Sequence, residues 1–370
     1  MIPVLYENDE TSFKTLGLGF LPSWIEDSIG VTEERNGEFS LEGELPVDGL
    51  HVDQLAIDRL IYAAPAPGKA PQPFQITKLQ KPDGADTVKV LAHHGSYQLT
   101  QHLCKPNSFR TASAQEAMNW LFGQGRMVPQ LDTTRWSFES DIELSNPVQM
   151  THLQPLSVRA ILGGTEDSLV DLFGGELEWD HWTVRLLAAR GRNTGKMIRY
   201  GVNMGDLSYE TDASGLVTAY YGYWRDSETL AYKDAYIVKS NVNDFAYTRV
   251  QAVDLSGKIE FDEEQQLTPT DAEMQAALQA YVNEQDANHL TTSIKISAVP
   301  EELQDLMLCD TVTVVHPGYG LQQQAKVVKT VYDPIKERYK EITIGEIRRG
   351  IITTIAKLMK GGIPNGYASI

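Results

Sequence analysis

The chain has 370 residues, of which 42% are apolar and 22% charged, a balance typical of a folded protein and not of a disordered one. The net charge of −18 excludes a broadly basic surface for nucleic-acid binding. Two cysteines, Cys104 and Cys309, cannot supply a disulfide framework or a cysteine-rich metal site and indicate buried thiols. The sequence has neither a signal-peptide pattern nor an apolar run of membrane length, so we expect a protein made in a cytoplasm.

Residues 1–106 read mainly as β-strands. An Asn36-Gly37 pair inside residues 29–42 is the strongest short hairpin signal, because both residues tolerate positive φ. A turn at residues 46–49 follows, and alternating runs at 74–79 and 87–92 predict two further strands. This part of the chain therefore predicts a small β-barrel or sandwich.

From about residue 107 the sequence also predicts helices. Ser113 and Glu116 form a capping-box sequence that opens a helix, and residues 136–142 alternate as a strand. Two short helices are predicted at residues 157–162 and 165–173, the second ended by a glycine pair.

Residues 174–201 predict a hairpin. Glu176, Glu178 and Asp180 alternate with apolar or aromatic residues, so they share one face of a strand. The sequence Asn193-Thr194-Gly195 supplies turn chemistry, and residues 197–200 are expected to return antiparallel.

The last part is again rich in predicted strands, apart from two helices. Thr270 and Glu273 form a second capping box, which opens a helix expected to place Ala276, Ala277, Ala280 and Tyr281 on one face. Residues 346–360 carry a single apolar stripe, Ile347, Ile351, Ile355 and Leu358, and predict a terminal helix before a glycine-rich tail. Predicted strands occupy residues 207–210, 217–224, 292–298, 310–316, 323–332 and 338–344.

The resulting fold class is α+β and mainly β, with two small β-barrel domains and an interrupted α+β middle domain. The first barrel is expected at residues 1–106 and the second at 206–226 plus 290–348. The middle domain would comprise 107–205 plus 227–289, and residues 349–370 would form the C-terminal helix and tail.

The row Glu176, Glu178 and Asp180 is the leading candidate for chemistry. Carboxylates two residues apart on a strand lie roughly 6–7 Å apart, close to the separation of about 5–5.5 Å in a retaining glycosidase. One reading is therefore a carbohydrate-active hydrolase; the other is a solvated strand face opposite a core face of Leu177 and Trp179.

Other candidate sites are weaker. His93 and His94 point apart on a strand, and His102 brings no carboxylate at metal-binding spacing. The run from Gly191 to Lys196 lacks the spacing and following helix of a phosphate loop, and Gly17-Leu18-Gly19 lacks the third glycine of a dinucleotide site. We therefore expect no catalytic, cofactor-binding or metal-binding residues.

The hairpin nevertheless resembles a known family. Its Gly-Gly-Glu, Val-Arg-Leu-Leu, Arg-Gly and Ile-Arg-Tyr-Gly elements are similar to the signature of the phage and prophage minor tail proteins, also called tail-associated lysins or the prophage endopeptidase tail family. Further similar stretches span residues 1 to 348 in family order, at residues 37–42, 46–49, 92–99, 217–224, 308–314 and 326–339.

The resemblance implies a structural, non-enzymatic hub at the tail tip or baseplate. Such a hub is a homotrimer whose two barrels per chain make a pseudo-sixfold ring below the sixfold tail tube. Expected partners are the distal tail protein, the tail tube and the tape-measure protein. The single apolar stripe of the C-terminal helix predicts either a launch point for a spike or fibre or a helix packed back onto its own barrel. The family's cell-wall-cleaving activity resides C-terminal to the hub and is expected to be absent here.

The same resemblance implies a virion location at the tail tip after assembly in the bacterial cytoplasm, with neither a membrane span nor specific nucleic-acid binding. DNA would pass through an enclosed channel. Carboxylates lining that channel would repel phosphates within a Debye length of about 8 Å, which gives the charge of −18 a function. The alternative is that this charge serves solubility alone.

Overall fold

The computed structural model is mainly β, with few helices, as the sequence predicts. It describes residues 1–81, 84–123, 125–129, 135–165, 167–199, 202, 206–212, 216–226, 230–239, 242–256, 259, 268–284, 291–297, 299–316 and 321–345. The predicted terminal helix at 346–360 lies outside the described residues. Within the described residues, no helix combines the length and apolar character needed to cross a membrane.

The strands have the following bounds: β1 Val4–Tyr6, β2 Gly19–Phe20, β3 Gly30–Glu34, β4 Phe39–Pro46, β5 Leu60–Ala63, β6 Gln72–Gln80, β7 Thr87–His94, β8 Leu103–Cys104, β9 Asn107–Ser113, β10 Met127–Val128, β11 Ser137–Ser140, β12 Glu143–His152, β13 Leu156–Ser157, β14 Glu176–Asp180, β15 Thr183–Leu187, β16 Asn193–Arg199, β17 Asp206–Asp212, β18 Ala219–Arg225, β19 Tyr232–Val238, β20 Val250–Asp254, β21 Thr291–Ser297, β22 Thr311–His316, β23 Leu321–Asp333 and β24 Arg338–Gly345. The α-helices are α1 Ala114–Leu121, α2 Val158–Leu162, α3 Leu169–Phe173 and α4 Asp271–Glu284. Short 3-10 turns lie at Val52–Gln54, Gly95–Gln101, Val242–Asp244 and Glu301–Leu303.

The chain divides into two compact units. The first comprises Met1–Ser208 and Ile294–Gly345, and the second comprises Tyr209–Ser293 and Glu346–Ile370. In the first unit a sheet runs in the order β21-β24-β23-β3-β4-β7-β6-β5-β1-β2, with β22 pairing β23 and β16. Strands assigned to the two predicted barrels are thus hydrogen-bonded through β3 and β23. Barrel closure and the four domain boundaries stay predictions.

A large apolar core lies within residues 4–186 of the first unit. Short three-stranded sheets, β10-β8-β13 and β11-β15-β14, and the pair β12-β9 pack with α1, α2 and α3 around it. Fully buried side chains of this core include Leu41, Phe74, Leu99, Met118, Leu162 and Val184. Burial of each such side chain contributes roughly 1.5–3 kcal/mol, so this core fixes the strands that carry the site.

The Asn36-Gly37 hairpin is confirmed. β3 and β4 pair antiparallel, and Asn36 adopts a left-handed φ of 56° in the turn between them. The Asn side chain tolerates this conformation, which explains why the dipeptide predicts the turn.

The predicted hairpin at residues 174–201 is wrong in its turn. β14 pairs antiparallel with β15, and the chain reverses at His181 and Trp182, where His181 takes φ 53°. β16 instead runs parallel to β22, and Gly195 at φ 67° lies at its register shift and not in a hairpin loop. Burial of Trp182 against Trp136 anchors the turn in place of turn-forming residues.

The second unit contains the sheet β19-β18-β20 and helix α4. The capping box is confirmed, because Glu273 accepts a hydrogen bond from the Thr270 N–H at 2.7 Å while Thr270 Oγ1 accepts from the Glu273 N–H at 3.2 Å. Of the four residues predicted to share one helix face, Ala277 and Tyr281 pack beside the buried Met274, Leu278 and Val282, whereas Ala276 and Ala280 are exposed. The larger side chains remove more apolar area from water and so determine which face packs.

Candidate functional site

The predicted carboxylate row lies on β14, but its first member is not solvated. Glu176 is only 4% exposed, while Glu178 and Asp180 are half-buried. Leu177 and Trp179, on the other face, are buried as predicted. The expectation of a solvated strand face is therefore wrong at Glu176, whereas Glu178 and Asp180 keep part of their surface exposed.

Glu176 joins three distant parts of the first unit. Its carboxylate accepts hydrogen bonds from Lys326 Nζ at 2.6 Å and from the Arg190 backbone N–H at 2.8 Å, and Arg35 lies at 3.9 Å. Burial opposes ionisation, but the hydrogen bonds from Arg190 and Lys326 outweigh it and hold the pKa of Glu176 below its ordinary value. The residue is an ionised structural anchor.

Asp180 and Glu178 share one cation, Arg185 of the neighbouring strand. Arg185 Nη1 lies 3.2 Å from Glu178 and 3.3 Å from Asp180, and its Nε donates to Glu139 at 2.8 Å. Lys69 adds a longer ion pair with Glu178 at 3.6 Å. The positive charge is thus spread between three carboxylates.

Asp180 also belongs to a chain of hydrogen bonds. It accepts from His181 Nδ1 at 2.8 Å and from Gln72 Nε2 at 3.3 Å, and His181 Nε2 lies 2.8 Å from the Tyr62 hydroxyl. Burial opposes ionisation of Asp180, but the hydrogen bonds from His181, Gln72 and Arg185 lower its pKa below the ordinary value. These contacts fasten the β14–β15 turn to β5 and β6.

Arg190 forms the most buried ion pair of the site. Its Nη2 donates to Glu33 at 2.8 Å, and the two side chains are only 8% and 9% exposed. Its Nη1 donates to the Leu177 carbonyl at 2.9 Å. Arg190 therefore ties β3 to β14 from a loop that leaves β15.

The ion pairs of Glu176, Arg185 and Arg190 form what we call the ionic seam. Two short polar side chains extend it through contacts with backbone groups. Asn36 donates to the Gly175 carbonyl at 3.0 Å and accepts from the Leu177 N–H at 2.7 Å, so the β3–β4 turn docks onto β14. Asp310 accepts from the N–H groups of Arg192 and Met307 at 3.0 and 2.9 Å. Side chains thus replace the strand partner that these backbone groups lack.

A cavity of about 440 Å³ adjoins this seam. Its wall includes Glu33, Lys69, Glu178, Asp180 and Arg190, together with the aromatic residues Phe39 and Trp179. The wall carries charges of both signs. The cavity is large enough for a small ligand, and Glu33, Lys69, Glu178, Asp180 and Arg190 of its wall already take part in ion pairs.

Both cysteines and some of the histidines are buried. Among the described residues, no group of three or more His, Cys, Asp or Glu side chains could hold a metal ion. His94 is fully buried between Phe39 and Gln72, and burial lowers its pKa well below the ordinary value. Burial also raises the pKa of Cys104 and brings that of Cys309 to about 12, so both thiols stay protonated.

The sequence located the carboxylate row but missed its partners. Arg190, Lys326 and Asn36 lie outside β14 in the chain and meet it only through the fold. One signal was available: Gly191 allows a backbone approach that a Cβ would block, since that atom would lie 2.0 Å from the Cys309 carbonyl oxygen. Chemically, the site is a set of ion pairs and charge-assisted hydrogen bonds.

Comparison with known proteins shows which protein family this chain resembles. Residues 192–355 match the family model described as prophage endopeptidase tail. No curated protein sequence matches the chain. The match confirms the resemblance to phage tail proteins that the sequence indicates.

Solved structures share the fold over nearly the full chain. The prophage tail protein gp18 from Listeria monocytogenes EGD-e has 17% identity and a TM-score of 0.58, covering 97% of this chain and 99% of that one. The prophage MuSo2 tail protein from Shewanella oneidensis has 11% identity and a TM-score of 0.57, covering 94% and 98%. A tail protein from Neisseria meningitidis MC58 has 10% identity and a TM-score of 0.57, covering 95% and 98%.

Proposed function

From this relationship to phage tail proteins, we propose that the chain is a structural component of a phage or prophage tail. In the finer form of the proposal, three copies form a ring at the tail tip or baseplate. The ring connects the tail tube to host-facing components and encloses the DNA exit channel. Its neighbours would be the distal tail protein, the tail tube and the tape-measure protein.

The observation that carries a structural role is the state of the carboxylate strand. A glycosidase needs one carboxylic acid protonated near neutral pH, and that group has a raised pKa. Glu176 and Asp180 instead have lowered pKa values, because cations and N–H groups surround their ionised forms. A carboxyl group held ionised in this way is poorly suited to donate a proton, which favours a structural role for Glu176 and Asp180.

The hydrolase reading keeps one supporting observation, the cavity of about 440 Å³ beside Glu178 and Asp180. Its test is release of reducing sugar from soluble glycans and from peptidoglycan fragments by the wild type and a Glu178→Gln/Asp180→Asn variant. The structural proposal predicts equal, background-level release by both proteins. Release that disappears in the variant would establish the hydrolase.

The location at the tail tip is tested on particles. Antibody raised against the purified chain should label one end of the tail, opposite the capsid, in electron micrographs of particles from cells that carry the gene. Label along the tail shaft, or label restricted to cell fractions, would contradict the proposal.

The acidic charge has its own test. A channel that repels phosphate groups predicts a negative inner surface in the assembled ring. Replacing acidic residues that line this surface with lysine should slow DNA release from particles. An acidic outside with a neutral or basic inside would contradict the idea.

A further inference from the structure

In the part of the second unit that the structure describes, the sheet β19-β18-β20 has one face covered by α4 and one face of exposed side chains, which we call the open face. α4 covers the first face, where Tyr220, Trp224 and Leu278 are buried. Gly222 lies on that side too, because a Cβ there would come within 2.9 Å of Leu255 and Leu278. Since side chains alternate along a strand, Tyr221 and Tyr223 of β18 point to the other side.

Four tyrosines gather on this open face. The register pairs Tyr221 with Tyr236 and Tyr223 with Asp234, which places Tyr232 and Tyr236 on the same side of β19. Tyr232 and Tyr236 are 52% and 47% exposed. The rings of Tyr223 and Tyr232 lie nearly parallel, at 10° with centroids 6.5 Å apart.

Asp234 lies at the centre of these four rings. It faces Tyr223 across the strand pair and stands two residues from both Tyr232 and Tyr236. The Tyr221 hydroxyl donates to Asp234 Oδ2 at 2.6 Å and lies 2.7 Å from the Tyr232 hydroxyl. These hydrogen bonds hold an exposed carboxylate in a fixed position among aromatic rings.

We propose that this open face binds a basic protein segment, with a lysine or arginine side chain seated among the four tyrosines over Asp234. Aromatic faces attract cations through the ring quadrupole, and a carboxylate at the centre adds Coulomb attraction. An uncharged partner would bury Asp234 without a counter-charge, which is costly.

The surroundings define the partner further. Val238 and Val250, both about half-exposed, extend the face at one end, so apolar residues should flank the cation. The charged side chains that the register places on this face are Asp234, Asp254 and, at the margin, Arg225. This inference depends on the second unit alone and holds whether or not the chain is a tail component.

The test uses the full chain and a short dye-labelled peptide in which arginines alternate with valines. Its matched probe carries neutral citrulline in place of each arginine. Binding is measured by fluorescence anisotropy for the wild type, Asp234→Asn, Tyr236→Ala and Tyr236→Phe. Asp271→Asn is the matched control, because it removes one exposed carboxylate of the same unit from α4 and not from the open face.

We expect the arginine peptide to bind and the citrulline peptide to bind at least tenfold more weakly. Asp234→Asn and Tyr236→Ala should each weaken binding about five- to tenfold, while Tyr236→Phe and Asp271→Asn stay within twofold. Circular dichroism checks that each variant is folded.

Three results would overturn the proposal. Equal losses in Asp234→Asn and Asp271→Asn would indicate general charge attraction. Equal binding of both peptides would indicate an apolar surface. Binding of a soluble glucan oligomer that Tyr236→Ala abolishes, with no binding of the arginine peptide, would assign the face to carbohydrate.

Discussion

The buried pair Arg190–Glu33 offers the sharpest test of the ionic seam. Arg190→Met removes the cation from a 2.8 Å pair whose side chains are 8% and 9% exposed, and leaves Glu33 buried without its partner. Breaking a buried pair in this way costs about 3–5 kcal/mol of the free energy of unfolding. For a unit of this size that corresponds to a fall in Tm of roughly 10 °C.

The double variant Glu33→Leu/Arg190→Met distinguishes the cost of leaving Glu33 unpaired from the cost of losing the Arg190 side chain itself. It removes both charges and leaves mainly the lost hydrogen bond to the Leu177 carbonyl, which contributes about 1 kcal/mol. The double variant should therefore be more stable than Arg190→Met. Lys69→Met is the control, since its pair with Glu178 at 3.6 Å is half-exposed and contributes less than about 1 kcal/mol.

Urea unfolding followed by tryptophan fluorescence measures all three variants. Equal destabilisation by Arg190→Met and Lys69→Met would refute the view that the seam is a buried ionic anchor. So would a double variant less stable than Arg190→Met.

Three further predictions concern other parts of the fold. Gly191→Ala should destabilise the first unit by about 1–3 kcal/mol in urea unfolding, because the new Cβ would collide with the Cys309 carbonyl. Gly164→Ala is the control: its Cβ position is open, so this variant should show only the strain of a positive φ. Thr270→Ala should lower the stability of the second unit by about 1 kcal/mol through loss of the α4 cap, seen as earlier loss of hydrogen-exchange protection in α4 with the first unit unchanged. The pKa of His94 is lowered in the folded state, so unfolding takes up a proton below pH 6.5. The free energy of unfolding should therefore fall by up to about 1.4 kcal/mol per pH unit from pH 6.5 downward. His94→Gln should flatten this dependence, and an unchanged slope would refute the prediction.

Local signals predicted local structure well. The Asn36-Gly37 pair fixed a turn because its chemistry lies within four residues, and the Thr270–Glu273 box fixed a helix start for the same reason. The turn at His181 was missed because its stability comes from contacts of Trp182 and His181 with remote residues. On α4, Ala277 and Tyr281 of the predicted face pack against the core while Ala276 and Ala280 stay exposed, because the larger Met274 and Leu278 bury more apolar area than alanines do.

At the candidate site, too, local features could be predicted from the sequence and long-range contacts could not. Alternation placed Glu176, Glu178 and Asp180 together on one strand, as the structure confirms. Their partners could not be predicted, because Lys326 lies 150 residues away and reaches Glu176 only when β23 lies beside β3. Burial of Glu176 follows from that topology and not from its neighbours in sequence.

The central claim is that three copies of this chain close into a ring. Light scattering of the purified full chain across a range of concentrations, followed by electron microscopy of the largest species, tests it most directly. The account predicts a species of three times the 41.2 kDa chain mass, with threefold symmetry and an open passage on its axis. A protein that remains a single chain at the highest concentration, or assembles without an axial opening, would contradict it.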